Sequence, residues 1–169
     1  MAENSPQNQT DALNPRMVPL SVHAQYIKDL SFENPRAPQS LMPGQPMPTM
    51  TVNVTLDAKK IEAVRPDSSG YEVIIHIEAQ ANREGTTIFI VELDYGIVCS
   101  IGKDIPEQHH HPLLMIEVPK LAFPFARQIL SDVTGQAGFP PLLLNPVDFE
   151  GMYRDQYLAQ AKAANNTAA

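Results

Sequence analysis

A chain of 169 residues is near the commonest size for one domain and long enough to bury a core of its own. Its formal net charge of −7, with only 12 Lys and Arg scattered along it, argues against a nucleic-acid binder and favours solubility and a basic partner. A single cysteine, Cys99, excludes an intramolecular disulfide and fits a reducing compartment. Met1 to Asp11 is polar and lacks the basic and apolar regions of a secretory signal. No run approaches the roughly 20 apolar residues of a membrane-spanning helix. The expectation is a soluble, acidic, cytoplasmic protein.

Residues 1–17, rich in Asn, Gln, Ser, Ala and Pro, are expected to be a disordered tail. A single domain over 18–160 follows, then a second disordered tail over 161–169. The first strand is expected over 18–33. Its even positions Leu20, Val22, Ala24, Tyr26, Leu30 and Phe32 are apolar, with Lys28 the exception, and its odd positions are mostly polar. Asp29 and Glu33 then share the wet face, about 13 Å apart along the strand. A glycosidase-type carboxylate pair needs roughly 5–9.5 Å, so this spacing suits a flat anionic surface instead.

The strand runs into a crossover, Asn34 to Pro48, holding Pro35, Pro38, Pro43, Pro46 and Pro48. Each proline fixes φ and removes a backbone donor, so neither helix nor central strand forms here. Two readings stand: a flexible linker, or a semi-rigid flap whose Leu41, Met42 and Met47 touch something apolar.

Three further strands are expected over 49–61, 71–83 and 86–101. Met50, Val52, Val54 and Leu56 alternate in the first, and Tyr71, Val73, Ile75, Ile77, Ala79 and Ala81 in the second. In the third, Phe89, Val91, Leu93, Tyr95 and Ile97 alternate against Ile88, Ile90, Glu92 and Asp94. Ile88 and Ile90 are either scattered surface apolars or part of a docking patch with Glu92. Asn82 to Gly85 reads as a short hairpin connection. The four strands make an antiparallel sheet with one wet face.

After Gly102 the period becomes helical. Val118, Leu121, Phe125, Ile129 and Val133 fall at steps of three and four, within a long bent helix over 109–134. Its apolar stripe is wider than one sheet can cover, which points to an oligomer with helices between sheets. Pro119 and Pro124 are expected to bend its first half, and Gly135 to stop it. An apolar loop, Gly138 to Leu144, leads to a second helix over 146–162, with Asn145 as N-cap and Pro146 at its first position. The fold class is α+β.

His109, His110 and His111 form the one cluster with ligand chemistry. Consecutive histidines do not converge on one ion, and nothing nearby completes a tetrahedral set, so a solvated segment is the expectation. Cys99 reads as a buried structural thiol, and His23 and His76 as solvated surface histidines. No phosphate loop, nucleophile elbow or zinc-protease motif appears, and no cofactor is implied.

Tyr26-Ile27-Lys28-Asp29-Leu30-Ser31-Phe32-Glu33-Asn34-Pro35 resembles the opening strand of the SecB export chaperones. The likeness continues through Glu92 and Gly96, Phe123-Pro124-Phe125-Ala126-Arg127, Phe139-Pro140 and Asn145-Pro146-Val147-Asp148-Phe149, over about residues 20–158. The resemblance implies a homotetramer, a dimer of dimers, that holds preproteins unfolded in the bacterial cytoplasm. It would deliver them to the translocation ATPase SecA without using ATP itself. It further implies that Asp29, Glu33, Ile90 and Glu92 dock SecA, and that Val91, Leu93 and Tyr95 support the tetramer. Unfolded clients would lie in an apolar groove involving Leu41, Met42, Met47, Phe139, Leu142, Leu144 and Met152. Departures from the family pattern are the histidine triplet, the longer N-terminal tail, the Ala-rich ending, and Asp94 and Tyr95. A rival reading is a small-molecule or metal-binding enzyme of α+β fold centred on His109–His111. A third is a purely structural oligomer.

Overall fold

Four strands hydrogen-bond in the order β1-β4-β3-β2, every neighbouring pair antiparallel. The structure, a computed structural model, describes residues 19–167, so the expected tail at 1–17 lies outside the described residues. The strands are β1 (Ser21–Glu33), β2 (Thr49–Ile61), β3 (Ser68–Arg83) and β4 (Thr86–Gly102). β1 and β2 are opposite edges, and the proline-rich crossover carries the chain from one to the other. One face of β3 and β4 presents Val73, Ile75, Ile77, Val91, Leu93 and Ile97, all fully buried. Covering a side chain of that size stabilises the fold by roughly 1.5–3 kcal/mol. The cover is the helical layer.

β1 departs from simple alternation. Its register against β4 shifts between Val22 and Ala24 and again between Ile27 and Asp29, so His23 and Lys28 are extra residues. Each bulge moves the following side chains to the other face. Tyr26 and Ala24, expected inside, lie opposite Gly96 and Val98 on the outer face. Ile27 and Gln25, expected outside, lie opposite Tyr95 and Ile97 on the inner one. After the second bulge the phase returns, and Leu30 and Phe32 face inward as expected, with Asp29 and Glu33 outward.

A third irregularity sits beside the β3–β4 hairpin. Ala81 pairs with Phe89 and Asn82 with Thr87, which leaves Ile88 as the extra residue. Ile88 is buried along with Phe89, and shares a small cavity with Gln39, Ser40 and Gln45 of the crossover. It is neither a surface apolar nor free to dock a partner.

The helical layer begins with a 3₁₀ turn, Glu107–His109, and α1 (His110–Pro112), which pass through a π-helical stretch, Leu113–Glu117, into α2 (Val118–Gln136). The expected irregularity therefore falls just before Pro119. A wider turn there accommodates a residue that has no N–H to donate backwards. α2 continues through Pro124 to Gln136, past Gly135. The residue that takes the left-handed conformation after the helix is Gly138, at φ 90°.

The N-cap of the second helix, α3 (Phe149–Thr167), is Asp148 rather than Asn145. Its Oδ1 accepts from the Gly151 N–H at 2.9 Å, and its carbonyl accepts from Met152 at 3.0 Å. An ionised carboxylate suits the positive end of the helix dipole as well as the free N–H groups. α3 runs past the expected end at 162 into the segment expected to be a tail, of which 168–169 lie outside the described residues.

Candidate functional site

The outer face of the sheet is where the register gathers charge. Glu33 lies opposite Ile90, Ser31 opposite Glu92, and Asp29 opposite Asp94. On the other side of β4, Glu78 lies opposite Glu92 and His76 opposite Asp94. Asp29, Glu33 and Glu92 are exposed and Ile90 is half-buried, so the four residues expected to dock a partner are brought together on one face. Alternation places Asp94 opposite the apolar set of its strand without joining it to these four, and Glu78 falls between the apolar Ile77 and Ala79 of its own strand. Only the strand order makes them neighbours of Glu92. His76 is not simply solvated: its Nδ1 lies 2.5 Å from Asp94 Oδ1. His23 likewise has a partner, Nε2 being 2.7 Å from Ser100 Oγ.

The acidic end of this face is bounded by an ionic cluster that spans the sheet. Glu72 on β3 accepts from Lys28 Nζ at 2.8 Å and Lys59 Nζ at 2.6 Å, and from the hydroxyl of Tyr26. Lys28, Lys59 and Tyr26 together hold the Glu72 carboxyl down at about 2. Burial and the same carboxylate push the Tyr26 phenol up to about 12. Lys28, Tyr26, Glu72 and Lys59 thus tie β1, β3 and β2 together over β4.

At the far end of the sheet the crossover and the loop after α2 enclose a groove of about 320 Å³. Of the residues named for a client groove, Leu41, Met47, Phe139 and Leu142 line it, together with Met50, Phe89 and Leu143. Met42, Leu144 and Met152 do not line it. Leu144 and Met152 are half-buried against the core, and Met42 points into solvent. The floor is aromatic: Phe89 and Phe139 have ring centroids 4.8 Å apart, and Phe32 stacks on Phe89 at 5.4 Å. Met47 is 84% and Leu143 76% exposed, so the rim offers apolar surface to water. Phe89 belonged to the inward set of its strand, and an apolar loop at 138–144 was itself the signal for Leu143.

The extended loop 139–148 is pinned to α2. Thr134, fully buried, accepts the Leu142 N–H at 2.8 Å and donates to the Leu130 carbonyl at 2.8 Å. Phe139 N–H donates to the Thr134 carbonyl at 3.2 Å. Arg127 Nη1 reaches the Leu144 carbonyl at 3.5 Å.

Val91 and Leu93 are fully buried and Tyr95 nearly so, its hydroxyl donating to Gln25 Oε1 at 3.3 Å. They are core residues of the chain. Uncovered apolar surface lies elsewhere: Ile27 at 48%, Leu121 at 47% and Phe125 at 53% exposure.

The three consecutive histidines go separate ways. His110 is buried rather than solvated, with Nδ1 2.7 Å from the Tyr71 hydroxyl and Nε2 2.9 Å from the Ile105 carbonyl. His111 Nδ1 is 3.2 Å from the Tyr153 hydroxyl, and His109 is exposed. No shared ligand point exists among them, and among the described residues no group of three or more His, Cys, Asp or Glu could hold an ion. Cys99 is fully buried, and burial pushes its thiol up to about 11. Among the described residues no helix is long and apolar enough to cross a membrane.

A sheet with one charged outer face, a helical layer on the other side and an open apolar groove at one end defines an α+β fold. The chain belongs to the SecB family of protein-export chaperones. The family model described as preprotein translocase subunit SecB matches residues 14–160. The protein-export protein SecB of Maricaulis maris is 41% identical over 163 residues, covering 96% of this chain and 90% of its own. That of Bartonella quintana is 44% identical over 142 residues, covering 84% and 86%. That of Rhodopseudomonas palustris strain BisB18 is 46% identical over 145 residues, covering 86% and 85%. Among solved structures, the SecB-like chaperone of Mycobacterium tuberculosis in complex with a ChAD peptide from the HigA1 antitoxin superposes with a TM-score of 0.58. It is 13% identical and covers 76% of this chain and 88% of its own, a likeness of fold.

Proposed function

We propose that this protein is a cytoplasmic export chaperone, a homotetramer built as a dimer of dimers, that binds unfolded preproteins and hands them to SecA without hydrolysing ATP. The observation that carries the reading is the groove: aromatic floor, proline-rich wall and a rim of exposed Met47 and Leu143. Extended polypeptides expose apolar side chains of no fixed order, and adaptable Met and Leu contacts accept them without selecting one sequence. Each contact is weak. Several grooves on one assembly raise the effective concentration of the next contact, so residence time comes from avidity. A SecB-like neighbour in fold is itself seen with a bound peptide.

Assembly is supported by the uncovered Ile27, Leu121 and Phe125, which a second subunit would take out of water. Val91, Leu93 and Tyr95 would support the tetramer indirectly, by fixing the sheet under α2. Met42, beside the groove in the crossover, and Leu144 and Met152, behind it, would serve clients only after rearrangement. The acidic outer face, with Asp29, Glu33, Ile90 and Glu92, supports docking of a basic element of SecA.

The test of the client reading is refolding of a slow-folding precursor at stoichiometric ratio in the absence of ATP. A delay is expected; unhindered refolding would reduce the protein to a structural oligomer. For docking, Asp29→Ala and Glu33→Ala are expected to weaken SecA binding and flatten its salt dependence. Undiminished affinity with an intact fold removes that assignment.

A further inference from the structure

Arg83 is the last residue of β3, immediately before a two-residue turn in which Glu84 and Gly85 have φ of 51° and 76°. A turn of that kind matches the twist of paired strands, so Arg83 is held opposite Thr86 in fixed register. From there its side chain leaves the hairpin and reaches the far end of the crossover. Nε donates to the Pro46 carbonyl at 2.7 Å, and Nη1 donates to Oε1 of Gln45. Gln45 passes the link on: its Nε2 donates to the Gln39 carbonyl at 2.6 Å, in the 3₁₀ turn Gln39–Leu41. Leu41 in turn abuts Gly138, where a Cβ would come within 3.2 Å of its Cδ2. One cation from the opposite hairpin therefore ties both ends of the groove's wall.

Pro43, Pro46 and Pro48 carry no N–H, so the far end of the crossover has fewer backbone donors than its first half. Among the described residues Arg83 is the one charged residue lining the groove, and two of its donors are spent on the wall. A planar guanidinium donating from Nε and Nη1 at once fixes direction as well as distance, which a lysine ammonium does not.

We propose that Arg83 is the positioning residue of the client groove: it sets the gap between the crossover and the aromatic floor. It thereby sets how fast a bound apolar segment of unfolded polypeptide escapes. The inference rests on the groove reading above. A wall ordered in advance loses less freedom on binding, and such differences appear mainly in the dissociation rate.

The experiment uses the full chain and a permanently unfolded, reduced and carboxymethylated polypeptide carrying a fluorophore. Dissociation is followed by stopped flow for wild type, Arg83→Ala, Arg83→Lys, Gln45→Ala and Leu143→Ser. Arg83→Ala is expected to speed dissociation about five-fold, with Arg83→Lys in between and Gln45→Ala smaller than either. Its thermal midpoint should stay within about 2 °C of wild type, while amide exchange over 39–47 accelerates. An unchanged rate in Arg83→Ala and Gln45→Ala, with Leu143→Ser faster, overturns the role of Arg83 and leaves the groove standing. Unchanged rates in all variants overturn both. Gln45→Ala keeps the test decisive should Arg83→Ala fold poorly, since it removes the two bonds made by the Gln45 side chain, leaves Arg83 bonded to the Pro46 carbonyl and removes no charge.

Discussion

The ring of Tyr26 lies across Gly96, in the space that a side chain on β4 would fill. From there its hydroxyl reaches Glu72 on β3, bridging the strand between them. The bulge at His23 turns Tyr26 outward, the glycine leaves it room, and the carboxylate holds its far end. A Cβ at position 96 would overlap the ring, so Gly96→Ala must push Tyr26 aside and break its bond to Glu72. The expected loss is about 1–3 kcal/mol in urea unfolding. Tyr26→Phe alone should cost about 1–2 kcal/mol for the lost hydroxyl, and clearly less in the Gly96→Ala background, where the bond is already gone. Additive costs would show that ring and glycine are not coupled.

Glu72 makes stability depend on pH in a window that can be stated. Its folded value of about 2 lies below the ordinary 4.5, so the unfolded chain takes up the proton first as pH falls. The contribution is therefore full above about pH 4.5 and fades as pH falls through about 2. Glu72→Gln should be less stable than wild type at pH 7 by about 2 kcal/mol, allowing for the solvent-exposed lysine partners. The two stability curves should converge near pH 2. Parallel curves from pH 6 to pH 2.5 would remove Glu72 as their cause.

The order of four strands and two helices was legible because the period of the apolar residues changes once, after Gly102. So was the shared face of Asp29, Glu33 and Glu92. What alternation cannot carry is an extra residue. The bulges at His23, Lys28 and Ile88 each break the period by one, and so reversed Tyr26, Ile27 and Ile88. Strand order is equally invisible locally: Glu78 and Asp94 join Glu92 only because β4 lies between β1 and β3. His110 differs from its two neighbours in burial, not in letter, and its partners Tyr71 and Ile105 are set by the fold. Asn145 and Asp148 are both good caps, and the choice between them is made by where the pinned loop releases the chain.

Cys99 reports on the opening of the central strand. β4 is paired on both sides there, with Val22 and Tyr71 opposite, and the thiol is fully buried. Alkylation needs the thiolate, which burial disfavours, and needs access, which only unfolding of the sheet provides. At pH 8 native protein should react with iodoacetamide at least about a hundredfold more slowly than protein in denaturant. Stability should also decline as pH rises through about 11, since the unfolded chain ionises this thiol near 9 while the folded one keeps its proton. Comparable labelling rates would mean that β4 opens without global unfolding.

Thr134 joins the helix to the groove. Its hydroxyl both donates to the Leu130 carbonyl and accepts the Leu142 N–H, and it has no exposure to water that could replace either bond. Thr134→Val keeps the shape and removes the acceptor, leaving a part-buried N–H with no partner. The expected cost is about 1–3 kcal/mol, concentrated in the loop that carries Phe139 and Leu142. Thr134→Ser restores the hydroxyl and should recover most of the loss, apart from the missing methyl. Amide exchange at Leu142 separates the two explanations. If the hydroxyl holds the loop, exchange at Leu142 quickens in Thr134→Val and stays near wild type in Thr134→Ser. If exchange is equally quick in both, packing of the methyl group holds the loop and the hydrogen bond is incidental.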